Sequence, residues 1–298
     1  MAFSHRRLNI SIVGAGKVGT TLGSMLFRAH HRIVAVVSGS VQSARKCGRL
    51  VACWVCSDDC SVIPSTTDLI FIAVPDREIR NVAAAIAAVP HLEFDRMYVC
   101  HTSGAITSDE LAPLATKGAR VFSLHPIQTF PRRTSLADQR KSMREISYGF
   151  EGPKNTLPFA KRIVRQLRGD ILVVPKEAKI LYHLACVIAS NYSVTLIGAL
   201  ESVAAQATGK KLSPYLKLLT TSIQNATKIG AVDALTGPVA RGDAAVISRH
   251  LGAIQNPELR NLYRSLGAFA LKLAAQKGTL TADQELQLQD LLKMKGSD

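Results

Sequence analysis

The chain has 298 residues, of which 47% are hydrophobic, so it can bury a core, and disorder is excluded as its main state. Its 20 glycines and 12 prolines are scattered without a period, which excludes a collagen-like chain. The net charge of +15 favours anionic partners but does not choose among phosphates, carboxylates, nucleic acid and acidic membranes.

Short apolar runs and helical patterns alternate through the first half of the chain. Strands are predicted at residues 8–13, 33–37, 69–74, 97–100 and 120–124, and helices at 18–28, 41–50 and 78–88. Two more strands are expected at 146–150 and 171–174, on either side of a helix at 157–167. This alternation predicts a mostly parallel sheet with helices on both faces.

After Pro175 the pattern is helical, with stretches that begin near Glu177, Ser213, Asp243, Pro257 and Thr281. The sequence therefore predicts an α/β domain at residues 1–174 and an all-helical domain at 175–298. Residues 180–200 lack Asp, Glu, Lys and Arg and are long enough to cross a bilayer. Because they include His183, Ser190 and Asn191, which are costly in lipid, we expect a buried core helix and no membrane span.

Three of the six cysteines, Cys53, Cys56 and Cys60, form a C-x-x-C-x-x-x-C run. A structural zinc site normally takes four ligands in two pairs, and no second pair follows, so we expect no metal. Reduced cysteines in a cytoplasmic protein are the simpler account. The first seven residues show no cleavage pattern of a secretory signal.

A glycine-rich loop lies between the first strand and the first helix. Gly14, Ala15, Gly16, Lys17, Val18 and Gly19 form G-x-G-x-x-G. In this motif the first glycine allows a tight turn, the second lets a pyrophosphate approach the backbone, and the third lets helix and strand pack closely. The N-terminus of the helix then offers N–H groups and a positive dipole end to the phosphates. The sequence predicts a Rossmann-type, doubly wound, dinucleotide-binding domain.

The residues after the second strand predict the type of cofactor. NAD-binding domains place an acidic residue there for the ribose hydroxyls. This chain has Ser38, Gly39, Ser40 and then Arg45, with no carboxylate until Asp58. Hydroxyls and cations suit a 2′-phosphate, so we expect NADP(H), with NAD less favoured.

The chain resembles the family that joins a Rossmann-like domain to DUF2520, which is related to the pyrroline-5-carboxylate reductase and 6-phosphogluconate dehydrogenase superfamily. The resemblance implies NADP binding, oxidoreductase activity and a homodimer built through the helical half. Relatives often have a Ser-Arg-Ser turn where Gly39 stands, so either Arg45 or Lys46 replaces that arginine or the preference for NADP is weaker. The resemblance rests on residues 14–19 (GAGKVG), 73–76 (AVPD), 101–104 (HTSG), 124–126 (LHP), 130–131 (FP), 182–183 (YH), 189–192 (ASNY), 235–238 (LTGP) and 241–243 (RGD).

Several polar residues follow predicted strands of the sheet, where ligands of such folds bind. We expect Val74, Pro75, Asp76 and His101 to border the cofactor, with the nicotinamide above Val74 and Pro75. Ser103 and Gly104 resemble the Ser-Gly turns of hydroxyacid dehydrogenases and would offer a hydroxyl and N–H groups to a substrate carboxylate. A simple turn-forming role is the alternative for Ser103.

Hydride transfer to a carbonyl or imine needs a proton donor and groups that orient the substrate. Lys179, His183 and Asn191 lie close to whole helical turns apart, so we expect them on one helix face with Ser190. The arrangement is similar to that of hydroxyacid dehydrogenases, but their Lys-x-x-x-Asn spacing is absent. We predict His183 as acid, Asn191 as the positioning residue and Lys179 as a substrate ligand. His125, before Pro126, is the rival acid.

Arg241, in the turn before a predicted helix, is expected to pair with a substrate carboxylate or else to tie two helices together. Arginines and lysines recur at residues 132–144 and 161–168. Because neither aromatic platforms nor a nucleic-acid motif accompany them, a solvated face is favoured over specific RNA binding. The sequence thus predicts an NADP(H)-dependent oxidoreductase for a small carboxylate-bearing 2-oxo, 2-hydroxy or imino compound. The alternative is a non-catalytic NADP-binding regulator.

Overall fold

The structure is a computed structural model and describes residues 7–209 and 212–293. The expectation about a signal segment rests almost wholly on residues outside that range. The chain divides into two compact units, the first ending at Tyr192 and the second beginning at Ser193.

The first unit is built on one sheet of eight strands in the order β3-β2-β1-β4-β5-β6-β7-β8. Neighbouring strands are parallel except β6 and β7, which are antiparallel. The predicted mostly parallel Rossmann-type sheet is therefore confirmed. The strands are β1 (Asn9–Val13), β2 (Arg32–Val37), β3 (Cys56–Ser57), β4 (Leu69–Ile72), β5 (Tyr98–His101), β6 (Arg120–Pro126), β7 (Ser147–Glu151) and β8 (Asp170–Val173).

Helices cover both faces of this sheet. On one face Leu22 and Leu26 of α1 and Ile163 of α6 join one buried cluster, and on the other Ile79 and Ala83 of α3 join a second. These apolar positions recur at helical spacing, so each helix buries one side against the sheet. The helices are α1 (Lys17–Arg28), α2 (Val41–Leu50), α3 (Ile79–Ala87), α4 (Ala112–Ala115), α5 (Leu136–Ser142), α6 (Leu157–Gln166) and α7 (Lys179–Val187).

Strand β3, which the sequence analysis did not predict, begins in the cysteine run. It has only two residues, Cys56 and Ser57, and pairs with the end of β2. A two-residue strand is too short to show an alternating pattern. Among the described residues, no group of three or more His, Cys, Asp or Glu side chains is arranged to hold a metal ion.

The last part of the first unit is α7 and a π-helical turn, Ile188–Tyr192. The predicted boundary after residue 174 follows the end of β8, and the described residues beyond it contain no strand. The compact unit nevertheless continues to Tyr192. Lys179 and Tyr182 of α7 explain this, because they hydrogen-bond to Ser123 and His125 of β6.

The second unit is helical in its described residues, as predicted. Its buried cluster consists of Ile247, Leu251, Leu288 and Leu292. The helical stretch expected from Thr281 begins with a capping box, in which the Thr281 and Gln284 side chains each bond to the other residue's backbone N–H. The helices are α8 (Ser193–Thr208), α9 (Leu216–Ile229), α10 (Ala231–Ala234), α11 (Ala244–Ala253), α12 (Pro257–Lys277) and α13 (Ala282–Leu292).

The expectation of a buried core helix over residues 180–200 is wrong for the single chain, since none of these residues is buried. Ile180 and Leu181 are 65% and 68% exposed. The helical run Lys176–Thr208 is long and apolar enough to cross a membrane by length and composition. A helix with apolar residues on all sides normally needs a covering partner.

Candidate functional site

The glycine loop has the geometry that its three glycines predict. Gly14 has φ 105° and donates its N–H to the Val37 carbonyl at 2.8 Å, and a Cβ there would strike the Ala73 carbonyl. A Cβ on Gly19 would strike the Gly14 carbonyl, whereas one on Gly16 would meet nothing within 4 Å. Two glycines are therefore required by packing, and the third leaves open space beside the backbone.

The N-terminus of α1 faces this open space. Gly16 is its N-cap without a side-chain hydrogen bond, and the first turn has no acidic residue. The free N–H groups and the helix dipole favour an anion there. Lys17 donates from Nζ to the Thr134 carbonyl at 3.0 Å, and the Ala15 N–H donates to Ser38 Oγ at 3.3 Å.

The predicted 2′-phosphate residues lie around the N-terminus of α2. Ser40 is the N-cap and accepts from the Ser43 N–H at 3.3 Å, and a Cβ on Gly39 would meet nothing within 4 Å. Arg45 is exposed, one turn into the helix. Asp58, distant in sequence, comes to the same edge of the sheet, because the Ser38 N–H donates to the carbonyl of Ser57, the residue before it, at 3.0 Å.

A cavity of about 250 Å³ lies where β4, β5 and β6 end. It is the kind of concave site at the carboxyl edge of the sheet that this fold predicts. Of the residues that the sequence analysis singled out, the cavity brings together Val18, Val74, Asp76, Ser103, Gly104, His125 and His183.

His101 does not present its side chain to the cavity. Its imidazole is fully buried, Nδ1 accepts from the Ser103 N–H at 3.2 Å, and Nε2 lies 3.0 Å from the Thr107 carbonyl. Burial lowers the pKa of His101 to about 4, so the ring is neutral, with its proton on Nε2. The side chain of His101 therefore holds the loop that follows β5, and its contact with the cofactor stays a prediction.

Ser103 and Gly104 form the turn at one wall of the cavity. Ser103 Oγ accepts from the N–H groups of Ala105 and Ile106 at 3.1 and 3.3 Å, so the turn-forming role of this serine is present. Gly104 lies against two imidazoles, since a Cβ there would be 2.8 Å from His183 Cδ2 and 2.9 Å from His125 Cε1. Among the described residues, no acceptor is found for the Gly104 N–H.

His125 and Tyr182 form a half-buried pair. His125 Nδ1 and the Tyr182 hydroxyl are 2.6 Å apart. Gly149 of β7 pairs with His125 across the sheet, and a Cβ on Gly149 would strike the Tyr182 hydroxyl. Burial, reinforced by the nearby Lys179 charge, lowers the pKa of His125 to about 4, and burial raises the pKa of Tyr182. Both rings are therefore neutral at pH 7.

Lys179 is only 1% exposed and does not line the cavity, and its direct contact with substrate stays a prediction. Its Nζ donates to Ser123 Oγ at 2.7 Å, and Ser123 donates to the Ser103 carbonyl at 3.2 Å. Burial lowers the pKa of Lys179 to about 8, while the charge of Glu151 opposes the shift. Glu151 is buried and accepts two hydrogen bonds from Ser108.

Asn191 does not join His183 in the cavity lining. The π-helical turn Ile188–Tyr192 inserts about one extra residue, which breaks the regular spacing that the sequence analysis assumed. Ser190 donates to the Cys186 carbonyl at 2.7 Å and to Asn191 Oδ1 at 2.8 Å. Arg241 belongs to the second unit, and its contact with substrate stays a prediction.

The sequence analysis missed Tyr182, Ser123 and Glu151 as parts of this network. Tyr182 was detectable, because it lies three residues after Lys179 and therefore on the same side of the helix. Glu151 was detectable as a lone carboxylate at the end of an apolar strand.

Comparison with known families agrees with this architecture. The model of a Rossmann-like domain matches residues 2–126, and that of a domain of unknown function, DUF2520, matches residues 146–269. Both parts of the resemblance stated from the sequence are therefore confirmed. No curated protein matches the chain significantly.

Solved structures share the fold. A candidate NADP oxidoreductase from Bacteroides fragilis is 22% identical, with a TM-score of 0.74 over 90% of this chain and 100% of that one. Protein TM1727 from Thermotoga maritima is 26% identical, with a TM-score of 0.68 over 90% and 99%. A reductive aminase from Aspergillus terreus in complex with NADPH and ethyl-5-oxohexanoate is 15% identical, with a TM-score of 0.56 over 96% and 93%.

Proposed function

We propose that this protein is an NADP(H)-dependent oxidoreductase that transfers a hydride to or from a small carboxylate-bearing 2-oxo, 2-hydroxy or imino compound. The observation that carries the proposal is the cavity at the carboxyl edge of the sheet. Val74, on the expected nicotinamide side, and the imidazoles of His125 and His183 line the same space of about 250 Å³. The Bacteroides and Aspergillus proteins, which share the fold, are described with NADP or NADPH.

The glycine loop fits a dinucleotide. The open space at Gly16 admits a diphosphate beside the N-terminus of α1, and Gly14 and Gly19 hold the turn that creates it. Ser38, Gly39, Ser40 and Arg45 would hold the adenosine 2′-phosphate, helped by the N-terminus of α2. When bound, the nicotinamide supplies or accepts the hydride.

The two cavity histidines have different roles in this proposal. His125 is neutral at pH 7, so its ring has one proton, and its Nδ1 shares a hydrogen bond with the Tyr182 hydroxyl. A neutral ring orients a substrate oxygen or nitrogen through a hydrogen bond but holds no spare proton. His183 therefore gives the proton to the carbonyl or imine, and takes it back in the reverse direction.

The substrate carboxylate is held by N–H groups and a cation. The Gly104 N–H lines the cavity, and Lys179, behind it, orders the Ser103 carbonyl through Ser123. The Ser103 hydroxyl and Arg241 complete the proposed set. The net positive charge of the chain would also attract a negatively charged substrate to this site.

The test is NADPH oxidation, followed by absorbance, against a panel of 2-oxo acids and cyclic imines with and without a carboxylate. The expected result is turnover with the carboxylate-bearing members and loss of at least tenfold when the carboxylate is removed. Turnover that ignores the carboxylate contradicts the substrate class. Tight NADPH binding with no turnover favours the second candidate below.

The second candidate is a non-catalytic, NADP-binding regulator. It is favoured by the position of Asn191 outside the cavity lining, which leaves the expected positioning residue away from His183. This candidate predicts that bound NADPH changes the rate at which a protease cleaves the protein. It also predicts that replacing both His125 and His183 leaves that NADPH effect unchanged.

The preference between NADP and NAD depends on two opposed groups, Arg45 and Asp58. Arg45→Gln should weaken binding of NADPH at least tenfold and leave NADH unchanged, because only the 2′-phosphate needs the cation. Asp58→Asn should strengthen the binding of NADPH, because it removes a negative charge from the edge of the sheet where the 2′-phosphate would lie. Arg49→Gln, at an exposed position in the last turn of the same helix, is the matched control. Equal effects on both cofactors would contradict the assignment of Arg45.

We also propose that the protein is a cytoplasmic homodimer in which a second copy covers the apolar helix surface of Ile180 and Leu181. Ser190 and Asn191 beside this surface make a lipid environment costly. Light scattering should give twice the chain mass, and Ile180→Asp with Leu181→Asp should give a folded monomer. A wild-type monomer that binds phosphatidylglycerol vesicles through these residues would contradict the proposal.

A further inference from the structure

A second cavity, of about 630 Å³, lies at the C-terminal end of α1 in the first unit. The glycine loop is at the other end of this twelve-residue helix, about 18 Å away at 1.5 Å per residue. The second cavity is therefore separate from the glycine loop and from the cavity where β4, β5 and β6 end, which together we call the crevice. We call this second cavity the basic cavity, because six basic side chains line it: Arg28, His30, Arg140, Lys141, Arg144 and Arg168.

The five arginines and lysines of the basic cavity have no acidic partner. The lining contains no Asp or Glu, and none of the ion pairs found in residues 7–209 and 212–293 involves these five side chains. Arg140 donates to Ser24 Oγ at 3.0 Å, a neutral group. Like charges around one cavity repel each other, so the arrangement costs free energy unless an anion joins it.

Helix dipoles account for only part of this charge. Three helices, α1, α5 and α6, end at the cavity, and basic residues near helix C-termini are favourable. Each C-terminus carries about half a negative charge, so the three supply about 1.5 charges against five cations. More than half of the positive charge is left without a counterpart.

The backbone holds two of these residues in an uncommon conformation. His30 and Arg168 have φ of 68° and 60°, the left-handed region in which side chains other than glycine cost about 1 kcal/mol. Each of the two residues closes a helix, because the N–H of the following residue bonds back to the last turn, His31 to Leu26 and Gly169 to Val164. The two helix ends thereby fix the backbone from which these side chains extend. Met25, Ala29 and Leu167 add an apolar part to the lining, and the volume lies in the range of ligand sites.

We propose that the basic cavity binds a small polyanion made of linked phosphates, either an inorganic polyphosphate or the polyphosphate chain of a nucleotide. Five cations match the several charges of such a chain, and arginine forms paired hydrogen bonds with phosphate oxygens. The proposal goes beyond the oxidoreductase function and does not depend on it.

The test is calorimetric titration of the full chain with inorganic tripolyphosphate, in wild type and in two charge-matched variants. Arg144→Gln with Arg168→Gln removes two cations from the basic cavity. Lys117→Gln with Lys154→Gln removes two exposed cations elsewhere in the first unit. We expect one saturable site in wild type, at least tenfold weaker binding in the cavity variant and less than a twofold change in the control.

Three outcomes of these titrations would overturn the proposal, in addition to those given below. They are no saturable binding by wild type, equal weakening in both variants, and displacement of tripolyphosphate by NADPH. The second would indicate general attraction to a basic chain, and the third would place the polyanion in the crevice. Circular dichroism and a thermal melt show whether the cavity variant is folded, and a folded variant with wild-type affinity also contradicts the proposal.

Parallel titrations with ATP and with a short RNA distinguish the sources of the phosphate. Tighter binding of ATP than of tripolyphosphate, lost in the cavity variant, supports a nucleotide that uses the apolar part of the lining. Equal binding of the two supports the phosphate chain alone. Saturable binding of the RNA without binding of tripolyphosphate overturns the proposal in favour of nucleic acid.

Discussion

The crevice and the basic cavity treat charged groups in opposite ways, although both belong to the first unit. At the cavity where β4, β5 and β6 end, His125 is half-buried in the lining, and His101 and Lys179 are buried outside it. Each has a hydrogen-bond partner, and burial lowers the pKa of all three. In the basic cavity, Arg144 and Arg168 are exposed, the lining contains no carboxylate, and neither arginine belongs to an ion pair found among the described residues. Burial thus sets the protonation states of the crevice groups, whereas the cations of the basic cavity are free to bind an anion.

The difference teaches where substitutions should act. Groups whose protonation is set by burial are coupled to the folding free energy, so changing them alters stability and its pH dependence. Exposed cations contribute little to folding, typically less than about 0.5 kcal/mol, and act through what they bind. The crevice should therefore respond strongly in rate and stability, and the basic cavity in ligand binding.

The largest effect is expected from His183→Gln, which removes the proposed proton donor. The rate constant kcat should fall about 10²- to 10⁴-fold, the usual contribution of general acid catalysis, with NADPH affinity unchanged. Steady-state kinetics and cofactor titration check both parts. His250→Gln in the second unit is the matched control and should keep wild-type kcat. A loss of less than threefold would transfer the role to another group.

The next effect is the pH dependence that Lys179 gives to stability. Its pKa is about 8 in the folded chain against 10.5 in the unfolded chain, so the unfolded chain binds more protons between these values. The stability of wild type should thus rise from pH 8 to 10.5, relative to Lys179→Met, by up to about 3 kcal/mol. Urea unfolding across this range measures the difference.

The control for this measurement is Lys228→Met, which changes an exposed lysine of α9. Its stability should follow the wild-type curve at every pH. Parallel curves for wild type and Lys179→Met would show that the Lys179 ammonium is not desolvated in the folded chain.

The sequence was sufficient for the sheet and the glycine loop, because apolar runs of four to seven residues and glycine spacing are local signals. It also singled out His125 and His183 as rival proton donors, and both line one cavity. It could not predict the His125–Tyr182 pair, which depends on antiparallel pairing that puts Gly149 opposite His125. The position of Asn191 failed for a similar reason, because the π-helical turn is not visible in hydrophobic periodicity.

A smaller effect is expected from Gly104→Ala, which tests how tightly the crevice is packed. The new Cβ would lie within 3 Å of both cavity imidazoles, so one ring must move. Overpacking of this kind costs about 1–3 kcal/mol. Gly252→Ala in α11 is the matched control, because its Cβ would meet nothing within 4 Å and should stabilise the helix by up to about 1 kcal/mol. Equal stability of the two variants would mean that the His125 and His183 rings can move aside for the new Cβ without cost.

The smallest effect on folding is expected in the basic cavity. Without phosphate, Arg144→Gln with Arg168→Gln should leave the unfolding free energy within about 0.5 kcal/mol of wild type, or raise it slightly, because repulsion is relieved. Added tripolyphosphate should raise the Tm of wild type and leave that of the variant nearly unchanged, since a ligand stabilises only the state that binds it. A loss of more than 2 kcal/mol without phosphate would mean that these arginines hold the fold together, as the crevice groups do.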